Sequence, residues 1–471
     1  MALDAVPDDE WQRLHDLGID HVWLMGVWEP SRASVAQAIQ HSSLRHEYDR
    51  ALPGWQSDDV IGSPYAVAAY RLNPQLGRPD TLPRLRDQLH RCGLRLLLDF
   101  VPNHTATDHP WVSEHPEYYV QGSPALAAAY PDRFFIAGSG KHQRWLAHGR
   151  DPYFEPWRDT AQVNAFHPEL RRAMIAVVEE IAGCCDGVRC DMAMLLLNEV
   201  FARTWVGVVM ESEPPTELWS EIIGAVKTRH PEFLFMAEAY WDLERRLQQL
   251  GFDCTYDKRL YDRLQQGGAA SVRAHLVAES AYQRRCVRFV ENHDEPRAVE
   301  AFGRERSLAA AAVVMTTPGV RLLHDGQLEG RRLGVPIQLA RVQPEAVDHG
   351  VLEYYRRLLA FADDPVLHSG AWKLLPVESA GSGNKTHEAL LAWIWTDDAS
   401  ARLIVVNYAF HASQGRIRVP ILPTESGLIV LEDRMSDARY ERSIDEIRHE
   451  GLCIDLAPYA VHLFRLPWLS V

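Results

Sequence analysis

Positive charge is scarce in this chain. Its 49 Lys and Arg against 64 Asp and Glu leave a formal net charge of −15 over 471 residues. Such a surface repels phosphate backbones and anionic membranes, which argues against nucleic acid as the main partner and suits a neutral substrate such as a carbohydrate. Long apolar runs are missing as well. The longest candidate, around Leu308 to Val314, falls far short of the ~18 residues needed to cross a bilayer. The opening MALDAVPDDEWQ is acidic and lacks the basic-then-apolar layout of a secretory signal, so cytoplasmic residence is the expectation. Cysteine is sparse and unpatterned: there are 7, with Cys184 and Cys185 adjacent and no CxxC. Neither a disulfide framework nor a zinc ribbon follows, and reduced structural thiols are expected. Cys190 adjoins Asp191, yet strand alternation turns it to the opposite face from its neighbours, away from any site they form.

What is present points to a large α/β protein. An apolar share of 46% is ordinary for a globular chain, and the length leaves room for one large domain and a smaller one. From residue 8 to about residue 363, short apolar runs alternate with amphipathic helical stretches, the signature of repeated βα units. The expected strands are Ile19 to Val27, Leu94 to Val101, Gly187 to Cys190, Phe233 to Ala237, Phe252 to Tyr256, Cys286 to Glu291 and Gly319 to His324. Helices are expected over Thr81 to Cys92, Pro168 to Cys184, Glu217 to His230 and Glu353 to Ala362. Seven strands are thus expected where a TIM barrel has eight. Residues Thr105 to Asp159 break the rhythm, being rich in Pro, His, Gly and aromatics without helical period. So long a loop inside a compact domain is usually functional. From about Trp372 the pattern becomes short alternating strands, LLAWIWT, ARLIVVNYAF, GRIRVPI, GLIVLED, GLCIDL and AVHLFRL, as in an antiparallel β-sandwich. The expected organisation is a barrel over 1–104 and 160–370, an excursion domain over 105–159 and a C-terminal sandwich over 371–471.

Four of the strand-like runs end in polar clusters: LRLLLDFVPNH at His104, DGVRCD at Asp191, FLFMAE at Glu238 and CVRFVENHD at Asp294. A βα-barrel gathers the carboxyl ends of distant strands around one pocket. Arg189 and Asp191, two apart on a strand, point the same way, and the guanidinium favours an ionised carboxylate, as a nucleophile requires. Glu238 follows an apolar run where burial favours the protonated form of a general acid. Glycoside cleavage needs that pair, one protonated carboxyl and one ionised carboxylate across an oxocarbenium-like transition state. Taken singly, each has a plainer role: a structural ion pair for Arg189 and Asp191, a helix cap for Glu238, an Asx turn for Asp294.

The ordered set, DFVPNH (Asp99 to His104), GVRCD (Gly187 to Asp191), AEAY (Glu238) and FVENHD (Phe289 to Asp294), resembles the α-amylase family of retaining glycoside hydrolases. The resemblance covers nearly the whole chain. It implies a (β/α)8 TIM barrel with an excursion after the third barrel strand and a C-terminal sandwich. It also implies Asp191 as nucleophile, Glu238 as acid and then base, and Asp294 as transition-state stabiliser. Arg189, His104 and His293 would line the subsite of the reacting sugar, together with Asp99 and Asn103 of the first segment. Tyr65, in SPYAVAAYRLNP, is similar to a Tyr that stacks on that sugar, although a core Tyr is the plainer reading. HDGQ (His324 to Gln327) would shape the rim.

Three departures stand out. Met194 and Leu195 occupy the places where many α-amylases carry Lys-His, and TAQVN has Gln162 where a calcium-ligating Asp often lies. A hard cation needs several oxygen ligands, so no metal and no other cofactor is expected. The third is at the start, where too few residues precede Asp8 for the family's first strand; the expectation is a chain lacking it. The partner expected is an α-glucan oligosaccharide or small α-glucoside, used by a hydrolase or transglycosylase. The alternative is a non-catalytic carbohydrate-binding relative. The aromatics Trp111, Tyr118, Tyr119, Trp145, Tyr153, Phe154 and Trp157 either line a pocket for short oligosaccharides or form the excursion's own core.

Overall fold

The computed structural model describes residues 2–398, 400–422 and 426–466. It divides into two units, residues 1–256 with 335–344 and residues 257–334 with 345–471. In the first unit, β1 (His21–Leu24), β2 (Arg95–Phe100), β3 (Gly187–Cys190), β4 (Leu234–Ala237) and β5 (Cys254–Tyr256) lie side by side in chain order, all parallel. Parallel neighbours require crossovers, and helices Thr81–Arg91, Pro168–Ala182 and Leu218–Arg229 supply them. The helix Thr81–Arg91 buries Leu82, Leu85 and Leu89, one stripe at helical spacing. Pro168 opens its helix at the first turn, where no N–H is needed. β3 begins at a glycine for want of space: a Cβ on Gly187 would stand 2.6 Å from the Leu234 carbonyl oxygen.

The excursion has more regular structure than its composition suggests. It holds two short helices, Pro110–Glu114 and Pro124–Ala129, too short to show a period, and a three-stranded sheet of Gln121–Gly122, Arg144–Ala147 and Phe134–Ala137. Tyr118, Tyr119, Phe134 and Leu146 are buried within it, whereas Tyr153 and Phe154 are exposed. His104–Ala106 pairs antiparallel with Thr160–Gln162 at its neck.

In the second unit, β6 (Cys286–Arg288) and β7 (Val320–Arg321) are parallel, and helix Arg304–Thr316 is buried from Ser307 onward. A six-stranded antiparallel sheet and a three-stranded one follow. Strand Leu390–Thr396 is buried on both faces: Leu390, Ala392 and Ile394 enter the sandwich core, while the Nε1–H groups of Trp393 and Trp395 both donate to the Thr316 carbonyl, at 3.0 and 2.7 Å. The chain thus has the (β/α)-barrel class of fold followed by an antiparallel β-sandwich. Several strands are shorter than their apolar runs. Ile19 to Val27 pairs only over His21–Leu24, Cys286 to Glu291 only over Cys286–Arg288, and Gly319 to His324 only over Val320–Arg321. Helix Ile444–Glu450 interrupts the sandwich strands, and residues 467–471 of the expected C-terminal domain lie outside the described residues. Among the described residues no helix is long and apolar enough to cross a membrane.

Candidate active site

Asp99, Arg189, Asp191 and Glu238 meet at the carboxyl ends of β2, β3 and β4 because the register brings them there. Arg189 is opposite Asp99 on one side and Met236 on the other. The ladder continues past the strands through Asp191 N–H to the Phe100 carbonyl (2.9 Å) and Glu238 N–H to the Cys190 carbonyl (3.1 Å). Arg189 is the hub. Its Nη1 lies 2.7 Å from Asp191 Oδ1 and 3.5 Å from Asp99 Oδ1, and its Nη2 lies 2.8 Å from Glu238 Oε2. Arg189 is 1% exposed, Glu238 3% and Asp191 5%. Burial alone would discharge the guanidinium, yet the carboxylates of Glu238 and Asp191 beside it hold it well above its ordinary range. The rings of Trp23, Tyr65 and Tyr256 lie 5.3, 5.2 and 5.7 Å from it, a cation–π setting that also shuts out water. Tyr65 therefore packs against the same guanidinium that Asp191 and Glu238 contact. Cys190, alternating away from Arg189 and Asp191, is fully buried, and burial pushes its thiol well above the ordinary range.

Glu238 is not in the bare apolar pocket that its sequence context suggests. Oε2 accepts the Met192 N–H at 2.7 Å in addition to Arg189, and Oε1 accepts the Tyr240 hydroxyl at 2.8 Å. That geometry comes at a backbone cost. Met192, Trp241 and Asp242 have φ of +43°, +61° and +67°, in a region disfavoured for residues with side chains and associated with functional sites. All three follow Asp191 or Glu238 closely. Met194 and Leu195, in the Lys-His positions, are buried in the short turn Ala193–Leu196.

His104 and Asn103 stand at the neck of the excursion. The His104 ring packs on Trp157 with centroids 5.1 Å apart, and burial pushes its imidazole down to about 4. Asn103 and Gln162 hold each other: Asn103 Nδ2 donates to Gln162 Oε1 at 3.2 Å, and Gln162 Nε2 donates back to Asn103 Oδ1 at 3.0 Å and to its carbonyl at 2.9 Å. Both are buried neutral amides already satisfied by each other, and Met194 and Leu195, in the Lys-His places, carry no charged oxygen. These residues do not fit a calcium ion. No group of three or more His, Cys, Asp or Glu with metal-binding geometry occurs among the described residues.

In the second unit, Asn292 Oδ1 accepts the N–H groups of Asp294 and Glu295, both at 2.9 Å, so Asn292 makes the Asx turn and Asp294 is carried on it. Asp294 Oδ2 is 3.1 Å from His293 Nε2. Glu291 is tied to Arg297 at 2.7 Å and to His324 at 3.2 Å, while Gln327 donates to the Tyr355 hydroxyl at 2.8 Å. Sequence reasoning missed Trp23, whose Nε1–H donates to Asp99 Oδ2 at 3.2 Å, as well as Tyr240 and Tyr256. The signal for Tyr240 was its place two residues after Glu238 in AEAY.

Buried carboxylates gathered on an arginine at the ends of parallel strands place the chain among the (β/α)-barrels that carry their sites at that face. The family model described as "Alpha amylase, catalytic domain" matches residues 9–337, and the chain belongs to that family. The α-amylase MalA of Haloarcula japonica is 27% identical over 422 residues, 86% of this chain and 52% of that protein. An α-1,4-glucan:maltose-1-phosphate maltosyltransferase of Rhodospirillum rubrum is 24% identical over 57% of this chain and 35% of its own length. The chain spans about half the length, or less, of these curated relatives. Among solved structures, a noncanonic maltogenic α-amylase, AmyB, from Thermotoga neapolitana superposes with a TM-score of 0.70 at 20% identity, covering 98% of this chain and 93% of that one. That likeness concerns the fold.

Proposed function

We propose that the chain is a retaining enzyme acting on α-linked glucosides, with α-1,4-glucan oligosaccharides as the preferred substrates and water or a second sugar as acceptor. One observation carries this reading: a single buried guanidinium touches both Asp191 and Glu238. The arginine holds the two carboxyl groups of a double displacement at one rim. Asp191 attacks the anomeric carbon, the C–O bond to the leaving sugar breaks, and Glu238 gives its proton to the departing oxygen. Glu238 then takes a proton from the acceptor as its oxygen displaces Asp191. With Asp99 counted, three carboxyl groups surround one guanidinium, so the pocket stays net negative even with Glu238 protonated. A negative pocket favours the positive charge that develops on the sugar. His104 is kept neutral by burial and serves as a hydrogen-bonding group for sugar hydroxyls. To Asp294 the fourth segment assigns stabilisation of the transition state.

Asp191→Asn tests the reading. Reducing-sugar release from maltooligosaccharides should fall by at least ~10³-fold, and denatured wild-type protein trapped mid-reaction should carry a glycosyl ester on the Asp191 peptide. A wild type that releases nothing from α-1,4, α-1,6 or α-1,1 glucosides, with or without acceptor, would leave carbohydrate binding without turnover as the function.

A further inference from the structure

We propose that Arg341 and Asp59 are positioning residues: their ion pair latches a strap at residues 338–341 onto the segment that carries Tyr65, and so sets that ring at the subsite of the reacting sugar. The inference rests on the proposed chemistry of Asp191 and Glu238 and adds to it what holds one wall of their pocket.

Tyr65 has no helix or strand to place it. It lies between the single turn Ser57–Asp59 and the strand Val67–Leu72, yet its ring packs on the Arg189 guanidinium at 5.2 Å and its backbone accepts a hydrogen bond from the His104 ring. A stretch without a ladder is fixed by the groups that its own backbone and neighbours bind. On one side Ser34 does this. The Ser63 N–H donates to Ser34 Oγ at 2.9 Å, and Ser34 Oγ donates in turn to Asp159 Oδ2 at 2.6 Å. Gly62 adopts φ +77° and runs so close to the helix Arg32–Gln40 that a Cβ would stand 2.9 Å from the Val35 nitrogen.

The other side is held by a strap from far along the chain. Residues 335–344 belong to the first unit, whereas the residues flanking them in sequence belong to the second. They sit within residues 322–348, which form no helix or strand, and a loop of that length in a compact domain is usually functional. Leu339 bridges antiparallel to Val60. The Ile61 N–H donates to the Gln338 carbonyl and the Ala340 N–H to the Asp59 carbonyl, both at 2.8 Å. Leu339 is buried with Tyr48, Leu52 and Val60. Arg341 closes the strap with a fork on both oxygens of Asp59, Nε on Oδ1 and Nη2 at 2.8 Å from Oδ2. Exposed ion pairs contribute little to stability. Here, however, the carboxylate is 8% exposed and also accepts the Gln56 N–H at 2.8 Å, and a bidentate partner adds geometric specificity as well as energy. Burial of Leu339 anchors the strap; the fork fixes its register along residues 59–61, just ahead of Tyr65.

Without the fork, the segment samples positions in which Tyr65 leaves Arg189, and a subsite that is only partly populated lowers apparent affinity by the populated fraction. In Arg341→Ala, KM for maltotetraose should therefore rise about fivefold with kcat near wild type. The amides of residues 60–66 should lose protection from hydrogen exchange by about the same factor. Arg341→Lys should recover part of both, since an ammonium replaces the fork by a point charge. In a Tyr65→Ala background the same Arg341→Ala change should alter KM by less than about twofold, because the residue it positions is gone. An unchanged KM in Arg341→Ala, or a KM that rises as much in the Tyr65→Ala background, overturns the latch while leaving the proposed function intact. If wild type consumes no α-glucoside, the proposed function fails and hydrogen exchange decides: faster exchange over residues 60–66 in Arg341→Ala supports the latch, and unaltered protection there refutes it. Arg341 is exposed, and a circular dichroism spectrum matching wild type shows that the variant is folded.

Discussion

The Tyr240 hydroxyl donates to Oε1 of Glu238 at 2.8 Å while Arg189 and the Met192 N–H hold Oε2. A donor aimed at a carboxylate stabilises the ionised form. Tyr240→Phe removes the donor and keeps the ring. The protonated acid should then persist to higher pH, moving the basic limb of the kcat/KM profile upward. A profile that keeps its limbs while activity drops would make Tyr240 a packing residue only.

Removing Arg189 should cost stability as well as turnover. Its guanidinium is buried against Asp191, Glu238 and Asp99, and deleting one member of a buried charge cluster leaves the others uncompensated, typically at about 3–5 kcal/mol. Arg189→Met should lower the urea midpoint accordingly. Adding Glu238→Gln to that variant should restore part of the loss, with a coupling of roughly 0.5–3 kcal/mol. Additive losses would mean that the two charges do not depend on each other.

The reach of the sequence follows from how local each feature is. The four strand-end clusters were legible because each is a short apolar run followed by polar residues, and β3 was found to its last residue because Gly187 and Asp191 bound it. Strand ends were overextended where burial outlasts pairing: Phe289 and Val290 are buried but lie beyond the β6 ladder. Trp23 and Tyr256 were missed because alternation gives the face of a strand, not which distant side chain its ring meets. The short helices of the excursion escaped for a similar reason, since one turn and a half has no period to read. Glu238 was expected in an apolar pocket because its neighbours in sequence are apolar, whereas its neighbours in space come from the Met192 and Tyr240 turns.

The Asn103–Gln162 pair predicts a neck held together without an ion. Each amide satisfies the other in a buried setting, so Gln162→Ala strands the Asn103 amide at a cost of about 1–3 kcal/mol. Differential scanning calorimetry should show the loss in melting temperature. The wild-type melt should shift by no more than about 1 °C in excess chelator or in millimolar calcium, because a cation that binds the native state stabilises it in proportion to the logarithm of its concentration over Kd. A calcium-dependent rise of several degrees would overturn this.

Acid should destabilise the first unit before its carboxylates protonate. Burial pushes His104 and His109 down to about 4, and lowers His148 and His21 as well. For His109 the contact explains the direction: Nδ1 accepts the Trp111 N–H at 3.1 Å as the cap of helix Pro110–Glu114, and a protonated ring cannot accept there. Between pH 6.5 and about 4 the unfolded chain takes up protons that the native histidines refuse, so more protons bind the unfolded state and stability falls with pH. The stabilisation is complete above the unfolded value near 6.5 and is lost progressively toward 4. Urea midpoints measured from pH 7.5 to 4.5 should decline steadily. His109→Gln, which keeps an acceptor but no titrating ring, should flatten that slope by about one proton's share, and an unaltered slope would exclude His109 from the linkage.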